Sequence, residues 1–192
     1  MENVTVIYRL KPAESVPEVP DLNLFQFADI LGDNDLSLVR RQPRTNESLL
    51  ARWTSSQCEL AAEYRQGAVI PDVSVWGSYL LMSHRAYTVF NSVIVDAGEF
   101  LPLQVGDMPM YIFVPLFFAG ENRTRTRFCY KDGVACGLET LVFEPCSIAG
   151  KSIFKSEMYG PTGIFVTDAF KKMFDKHGFE GLVFDQNLAG IF

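Results

Sequence analysis

Four cysteines and two histidines are the side chains of this chain that could carry nucleophilic or metal chemistry. They are Cys58, Cys129, Cys136, Cys146, His84 and His177. No two cysteines are separated by just two residues, so the ligand spacing typical of a zinc site does not occur. We therefore expect no metal and no cofactor. Free cysteines pack well in protein interiors, so we expect four reduced core thiols in a cytosolic protein.

A cysteine–histidine pair is the enzymatic alternative. Cys58 or Cys136 could supply a thiolate, and the glycines of Gly133–Gly137 would let a backbone approach a ligand. His84 or His177 could accept the proton, which would make the protein a small hydrolase or transferase. A reactive thiol also needs an electropositive, accessible setting, and no local signature indicates one. We therefore predict that the protein is not an enzyme.

The clearest change in composition is a reversal of charge sign in the first seventy residues. Between Ala13 and Val39 there are six acids and no lysine or arginine, and five arginines follow between Arg40 and Arg65. The acids are Glu14, Glu18, Asp21, Asp29, Asp33 and Asp35. Two interpretations stay open: two solvated faces that partly neutralise each other, or a docking surface for a protein partner. The docking surface is the hypothesis that we carry forward.

A second group of charges lies in the middle of the chain. Arg123, Arg125 and Arg127 alternate with other residues, so on a strand all three would point to one side. Such a stripe could contact phosphate or an acidic partner, or it could simply protect an exposed sheet edge.

Two segments share one pattern of strand, helix cap, helix and strand. In the first, Leu80–Met82 precedes the capping residue Ser83, and Glu99–Val105 returns as a strand. In the second, Ile164–Val166 precedes a capped helix that Gly178 ends. The likeness could reflect an internal duplication, or only the sequence pattern that such units have in common. Because there is a single pair of segments and their identity is weak, we favour the common pattern.

Between these two units the sequence favours β-hairpins. Turn signals at Gly106-Asp107 and Asp132-Gly133 separate short β-rich runs. Consecutive hairpins predict an α+β fold, with a largely antiparallel sheet and a few helices packed mainly on one face.

The first seventy residues differ in character from the rest. They contain an expected strand at Val4–Leu10, an acidic and proline-rich segment, and an expected helix at Ser56–Gln66. We expect residues 1–70 to form a variable part packed on an α+β core at 71–192, with one compact domain overall.

The net charge and the hydropathy of the chain argue against nucleic acid and the membrane as partners. The net charge of −6 disfavours binding to nucleic acid and suits a basic protein partner. The most apolar stretch, Met108–Ala119, is too short to span a bilayer. Because Met1–Tyr8 lacks the basic start and apolar block of a signal peptide, we expect a cytoplasmic protein without membrane contact.

Several packing motifs carry a resemblance to a known family. They are Leu80–Ser83 opening a helix, Glu99–Leu103, Ile153–Phe154, Phe165–Phe170 and Gly178–Phe184. In these motifs the chain resembles the bacterial polymorphic-toxin immunity proteins of the eleventh numbered immunity family, from about Pro71 to Phe184. The first seventy residues resemble no family that we can name.

The resemblance implies an antidote. Such proteins are cytoplasmic partners that bind a cognate toxin and block it, commonly a toxin used in competition between bacteria, and the family pattern offers no catalytic residue. The role needs a rigid scaffold and a specific surface rather than a reactive site. A structural or adaptor module within a larger assembly is a further alternative.

Overall fold

The computed structural model describes residues 5–14 and 16–190. The strands in these ranges are, in chain order, β1 (Ile7–Pro12), β2 (Pro20–Asp21), β3 (Ser56–Leu60), β4 (Val73–Trp76), β5 (Tyr79–Ser83), β6 (Gly98–Val105), β7 (Met108–Pro115), β8 (Arg127–Lys131), β9 (Val134–Thr140), β10 (Ile153–Ser156), β11 (Gly160–Thr167) and β12 (Leu182–Asp185). The α-helices are α1 (Leu24–Ile30), α2 (Ser37–Thr45), α3 (Ala62–Arg65), α4 (His84–Ile94), α5 (Pro145–Ile148) and α6 (Asp168–Lys176). Val4, the expected start of the first strand, and residues 191–192 of the expected core lie outside the described residues.

The strands form two larger sheets and a separate ribbon. One sheet has the order β2-β3-β6-β7-β5-β4, the other has the order β10-β11-β1-β12, and β8 pairs only with β9. Among the described strands every ladder is antiparallel except the one between β3 and β6. The predicted α+β class and the largely antiparallel sheet are confirmed.

Helices lie on both faces of the six-stranded sheet. Phe27 of α1 packs with Leu81 in one core, whereas Phe90 of α4 and Phe170 of α6 pack with Leu80 in another. Neighbouring residues of a strand point to opposite faces, so Leu80 and Leu81 belong to different cores. The rings of Phe90 and Phe170 stack with their centroids 4.3 Å apart, which ties α4 to α6 between the two sheets.

Each strand–helix–strand unit encloses an additional antiparallel strand. Strand β7 lies between β5 and β6, and β1 lies between β11 and β12. The N-terminal strand is therefore the centre of one sheet, while β2 and β3 form the edge of the other. Residues 1–70 thus contribute strands to both sheets, and their division as a variable part from a core at 71–192 stays a prediction.

Two helix ends follow the sequence signals, whereas Thr167 is the N-cap residue of α6 without a side-chain hydrogen bond. The Ser83 hydroxyl accepts a hydrogen bond from the Ala86 amide at 3.2 Å, as a helix N-cap does. Gly178 has a φ of +60°, and the Phe179 amide donates to the Phe174 carbonyl at 3.2 Å, which closes a Schellman motif. Both the cap and the helix stop are confirmed.

Two local predictions are wrong. Residues 56–60 of the predicted helix form β3, and only the single turn α3 is helical, because β3 is held between β2 and β6. The strand expected to carry Arg123, Arg125 and Arg127 begins only at Arg127, since the Asn122 side chain accepts a hydrogen bond from the Arg125 amide and turns the chain. Tertiary pairing and a local side-chain turn outweigh propensity at these places.

Candidate functional site

The six predicted acids separate into distinct environments. Asp33 is only 6% exposed, and its carboxylate accepts from the Val39 amide at 2.9 Å at the start of α2. Asp35 accepts from the Ser37 amide at 3.0 Å in the same first turn. Both residues serve a helix terminus, and the buried Asp33 offers no carboxylate to a partner. The burial of Asp33 and its bond to the first turn of α2 argue against the predicted docking role of this residue.

Asp21 and Asp29, two of the remaining acids, line an open cleft of about 750 Å³ beside α1. Its acidic lining residues are Asp21, Asp29, Glu59 and Asp107. They come from β2, from α1, from β3 and from the turn between β6 and β7. Arg65 approaches Asp21 at 3.9 Å, but both side chains are largely exposed, and such a pair contributes little. The cleft is thus lined by carboxylates drawn from separate segments of the chain.

The sheet explains why these carboxylates converge. Asp21 and Glu59 are direct partners in the antiparallel β2–β3 ladder, so their side chains share one face. The Gly106 amide donates to the Cys58 carbonyl at 2.8 Å, which holds the turn carrying Asp107 against β3. The sequence did not reveal Glu59 and Asp107 as members of this site. The alternation of Gln57 and Glu59 with apolar neighbours is the signal that could have identified the strand.

An aromatic pocket of about 310 Å³ lies on the other side of the same segment. Phe27, Trp76 and Tyr79 line it, and the rings of Phe27 and Trp76 meet edge to face with their centroids 5.0 Å apart. Leu22 lines both the cleft and the pocket, so the two concavities are adjacent. Glu18, another predicted acid, lies at the pocket.

Helix α1 separates the two concavities and exposes apolar side chains of its own. Leu24 is 47% exposed and Phe25 is 66% exposed. A capping box fixes this turn, because Asn23 accepts from the Phe25 and Gln26 amides and the Gln26 side chain accepts from the Asn23 amide. We call the cleft, the pocket and these two side chains together the α1 surface.

Glu14 lies away from the α1 surface. It lines a shallow groove with Pro12, Pro17 and Glu63. The structure therefore brings Asp21 and Asp29 together, places Glu18 nearby, and leaves Glu14 in a different location.

The cysteines and histidines do not form the nucleophilic pairs that the enzymatic alternative requires. Burial, followed by the negative charges of Asp21 and Glu59, raises the pKa of the Cys58 thiol to about 11, which opposes thiolate formation. His84 contacts Tyr111, and His177 stacks on the Phe179 ring. Among the described residues, neither histidine makes a hydrogen bond with a cysteine.

The expected core location of the four thiols is wrong for three of them. Cys129, Cys136 and Cys146 are exposed, and Cys58 is half-buried. Cys129 and Cys136 lie on the β8–β9 ribbon, with which no third strand of the described residues pairs. These thiols are therefore accessible to reagents in solution.

The predicted stripe of three arginines is also wrong. Arg123 and Arg125 lie in the turn before β8, and only Arg127 belongs to the strand. Side chains on a turn and on a strand do not follow one alternating pattern, so the three do not form a strand face.

Within residues 5–14 and 16–190, no group of three or more histidine, cysteine or acidic side chains is arranged to hold a metal ion. No helix in the same ranges is both long and apolar enough to cross a membrane. No protein-family model matches the chain, and no curated protein matches it significantly.

Proposed function

We propose that this chain is an immunity protein that binds a cognate bacterial toxin in the cytoplasm and neutralises it through a non-covalent complex. The observation that carries the proposal is the α1 surface, where an acid-lined cleft and an aromatic pocket flank two exposed apolar side chains. The resemblance of the packing motifs to those of immunity proteins supports the same role.

The composition of the α1 surface fits protein binding. Tight protein complexes depend on a few apolar or aromatic anchors that lose their water, surrounded by groups that exclude solvent. Leu24 and Phe25 can serve as anchors, and Trp76 in the pocket can receive an apolar group from the partner. The carboxylates of the cleft would attract a partner with a basic surface and speed its association.

Co-expression with the toxin encoded by a neighbouring gene tests this function. The unaltered chain should restore growth and bind the toxin in a pull-down. The double variant Leu24→Ser/Phe25→Ser should weaken binding roughly tenfold or more and lose the rescue, since it removes both anchors. Both side chains are largely exposed, so the variant should fold and show an unchanged circular dichroism spectrum.

A matched control uses apolar side chains that are exposed elsewhere. Val69 is 81% exposed and Val95 is 57% exposed, and neither lines the cleft or the pocket. Val69→Ser/Val95→Ser should leave binding and rescue unchanged. Binding of the toxin without rescue would indicate an adaptor rather than an antidote, and rescue by the α1 variant would exclude this surface as the binding site.

A further inference from the structure

The β8–β9 ribbon carries two thiols in contact. The Sγ atoms of Cys129 and Cys136 are 3.0 Å apart, and both residues are exposed. Within the part of the chain that the structure describes, each strand of the ribbon pairs only with the other, and every residue of β8 is exposed. The sulfurs therefore face each other in a segment that solvent and small reagents reach.

The backbone of the ribbon explains why the sulfurs meet. Asp132 and Gly133 have φ values of +51° and +79°, which a tight hairpin turn of the primed type requires. The register pairs Cys129 with Gly137 and Tyr130 with Ala135, so Cys136 is the extra residue of a β-bulge. The bulge turns the Cys136 side chain towards Cys129 across the strands.

We propose that Cys129 and Cys136 form a reversible intramolecular disulfide, which makes the ribbon a thiol modification site for small disulfides of the glutathione class. One protein thiol loses its proton and attacks a sulfur of the small disulfide, forming a mixed disulfide and releasing a small thiolate, which takes up a proton. The second protein thiol then loses its proton, and its sulfur attacks the bonded protein sulfur and releases the second small thiolate, which takes up a proton. Two protein thiols are oxidised, and one small disulfide is reduced to two thiols.

The proximity of the thiols favours the second step over a stable adduct. The neighbouring thiol attacks within the same molecule, where its effective concentration greatly exceeds that of a small thiol in solution. Adjacent strands also bring residues into the range of separations that a disulfide spans. The new bond crosses a two-stranded ribbon, an arrangement that has little stability of its own, and therefore holds β8 against β9.

Incubation of the full chain with mixtures of oxidised and reduced glutathione tests the proposal. Alkylation of the remaining thiols and peptide mass spectrometry should show Cys129 bonded to Cys136, with a mass lower by two hydrogen atoms. Dithiothreitol should restore both thiols. Retention of both thiols in oxidising mixtures, or a stable glutathione adduct on each, would overturn the proposal.

Single substitutions separate this reaction from ordinary surface oxidation. In Cys129→Ser, Cys136 should keep a glutathione adduct, because the resolving thiol is absent. The exposed Cys146 is the matched control, and Cys146→Ser should leave the Cys129–Cys136 bond unchanged. Hydrogen exchange of residues 127–140 should become slower in the oxidised protein, and unchanged exchange would contradict the holding of the ribbon by the bond.

Discussion

Glu99 attaches the segment between α2 and β3 to the six-stranded sheet, and Lys155 attaches α2 to the four-stranded sheet. Glu99 of β6 accepts hydrogen bonds from the Leu49 and Leu50 amides and from the Ser48 hydroxyl. The fully buried Lys155 of β10 donates to the Pro43 carbonyl at 2.7 Å, near the C-terminus of α2. Burial lowers the pKa of Lys155 to about 8, and the carbonyl at the helix end compensates part of the cost of its charge.

Replacement of Glu99 by glutamine tests the first of these attachments. Glu99 is 9% exposed, and glutamine keeps its shape while replacing one accepting oxygen with a donor group. An unsatisfied buried amide costs about 1–3 kcal/mol, so Glu99→Gln should lower the free energy of unfolding by that amount. Urea denaturation measures it, and a loss near zero would show that the carboxylate does not hold Leu49 and Leu50.

Asp185 predicts a dependence of stability on acid pH. Hydrogen bonds from Lys11, from the Asn187 amide and from Arg9 lower the pKa of Asp185 from 3.8 to about 2. The folded state thus binds its proton less readily than the unfolded state, and the stabilisation is complete above about pH 4 and disappears towards about pH 2. Because the group is partly exposed, we expect a contribution of about 1–2 kcal/mol.

Acid titration of unfolding measures this contribution. Asp185→Asn should remove the part of the pH dependence that falls between about pH 4 and pH 2. Asp175→Asn is the control, since Asp175 pairs only with Lys171 on the exposed face of α6. If the free energy of unfolding depended on acid pH in the same way for the unaltered chain and for Asp185→Asn, the assignment of this pH dependence to Asp185 would be contradicted.

At the scale of elements, the connection between α6 and β12 is the most constrained turn. Gly181 has a φ of +113°, and a Cβ there would overlap the main-chain carbonyl of Val73 in β4. Gly181→Ala should therefore destabilise the protein by roughly 3–5 kcal/mol, from backbone strain and overpacking together. Gly150 also has a positive φ, of +74°, but faces open space, so Gly150→Ala should cost only about 1 kcal/mol. If thermal denaturation showed equal destabilisation by Gly181→Ala and Gly150→Ala, the close approach of Gly181 to Val73 would be unimportant for stability.

Local signals predict the elements whose ends are determined by nearby residues. Ser83 and Gly178 identify helix ends through their own chemistry, because a hydroxyl caps amides and glycine accepts a positive φ. Ser56–Leu60 could not be assigned in this way, since β3 depends on partners from β2 and β6 that are distant in sequence. Pairing between remote segments outweighs local preference at such positions.

The residues of the candidate site also differ in how well the sequence predicts them. Composition identifies Asp21 and Asp29 as part of an acidic segment, but it does not distinguish them from Asp33, which is buried and accepts from the Val39 amide. Glu59 and Asp107 join the cleft through strand pairing and a hairpin turn, which the sequence shows only weakly. The contact between Cys129 and Cys136 depends on a β-bulge, and the sequence does not specify its position.

At the scale of the whole molecule, the six-stranded sheet supports the α1 surface. Phe27 of α1 packs in the same core as Leu81, Leu101 and Ile112 of the six-stranded sheet. A helix fixed in this way presents its exposed side chains with little loss of conformational freedom on binding. The surface therefore suits recognition by a preformed shape, with charge directing the partner to it.

The rate of association with the toxin encoded by the neighbouring gene tests the central claim most directly. Asp29→Lys/Glu59→Lys reverses two charges of the cleft, and Glu157→Lys/Glu180→Lys makes the same change in net charge at exposed positions outside it. Stopped-flow measurements at low salt should show association roughly tenfold slower for the cleft variant, with a weaker dependence on salt. The control variant should change far less. Equal rates for the two variants would contradict binding at the α1 surface.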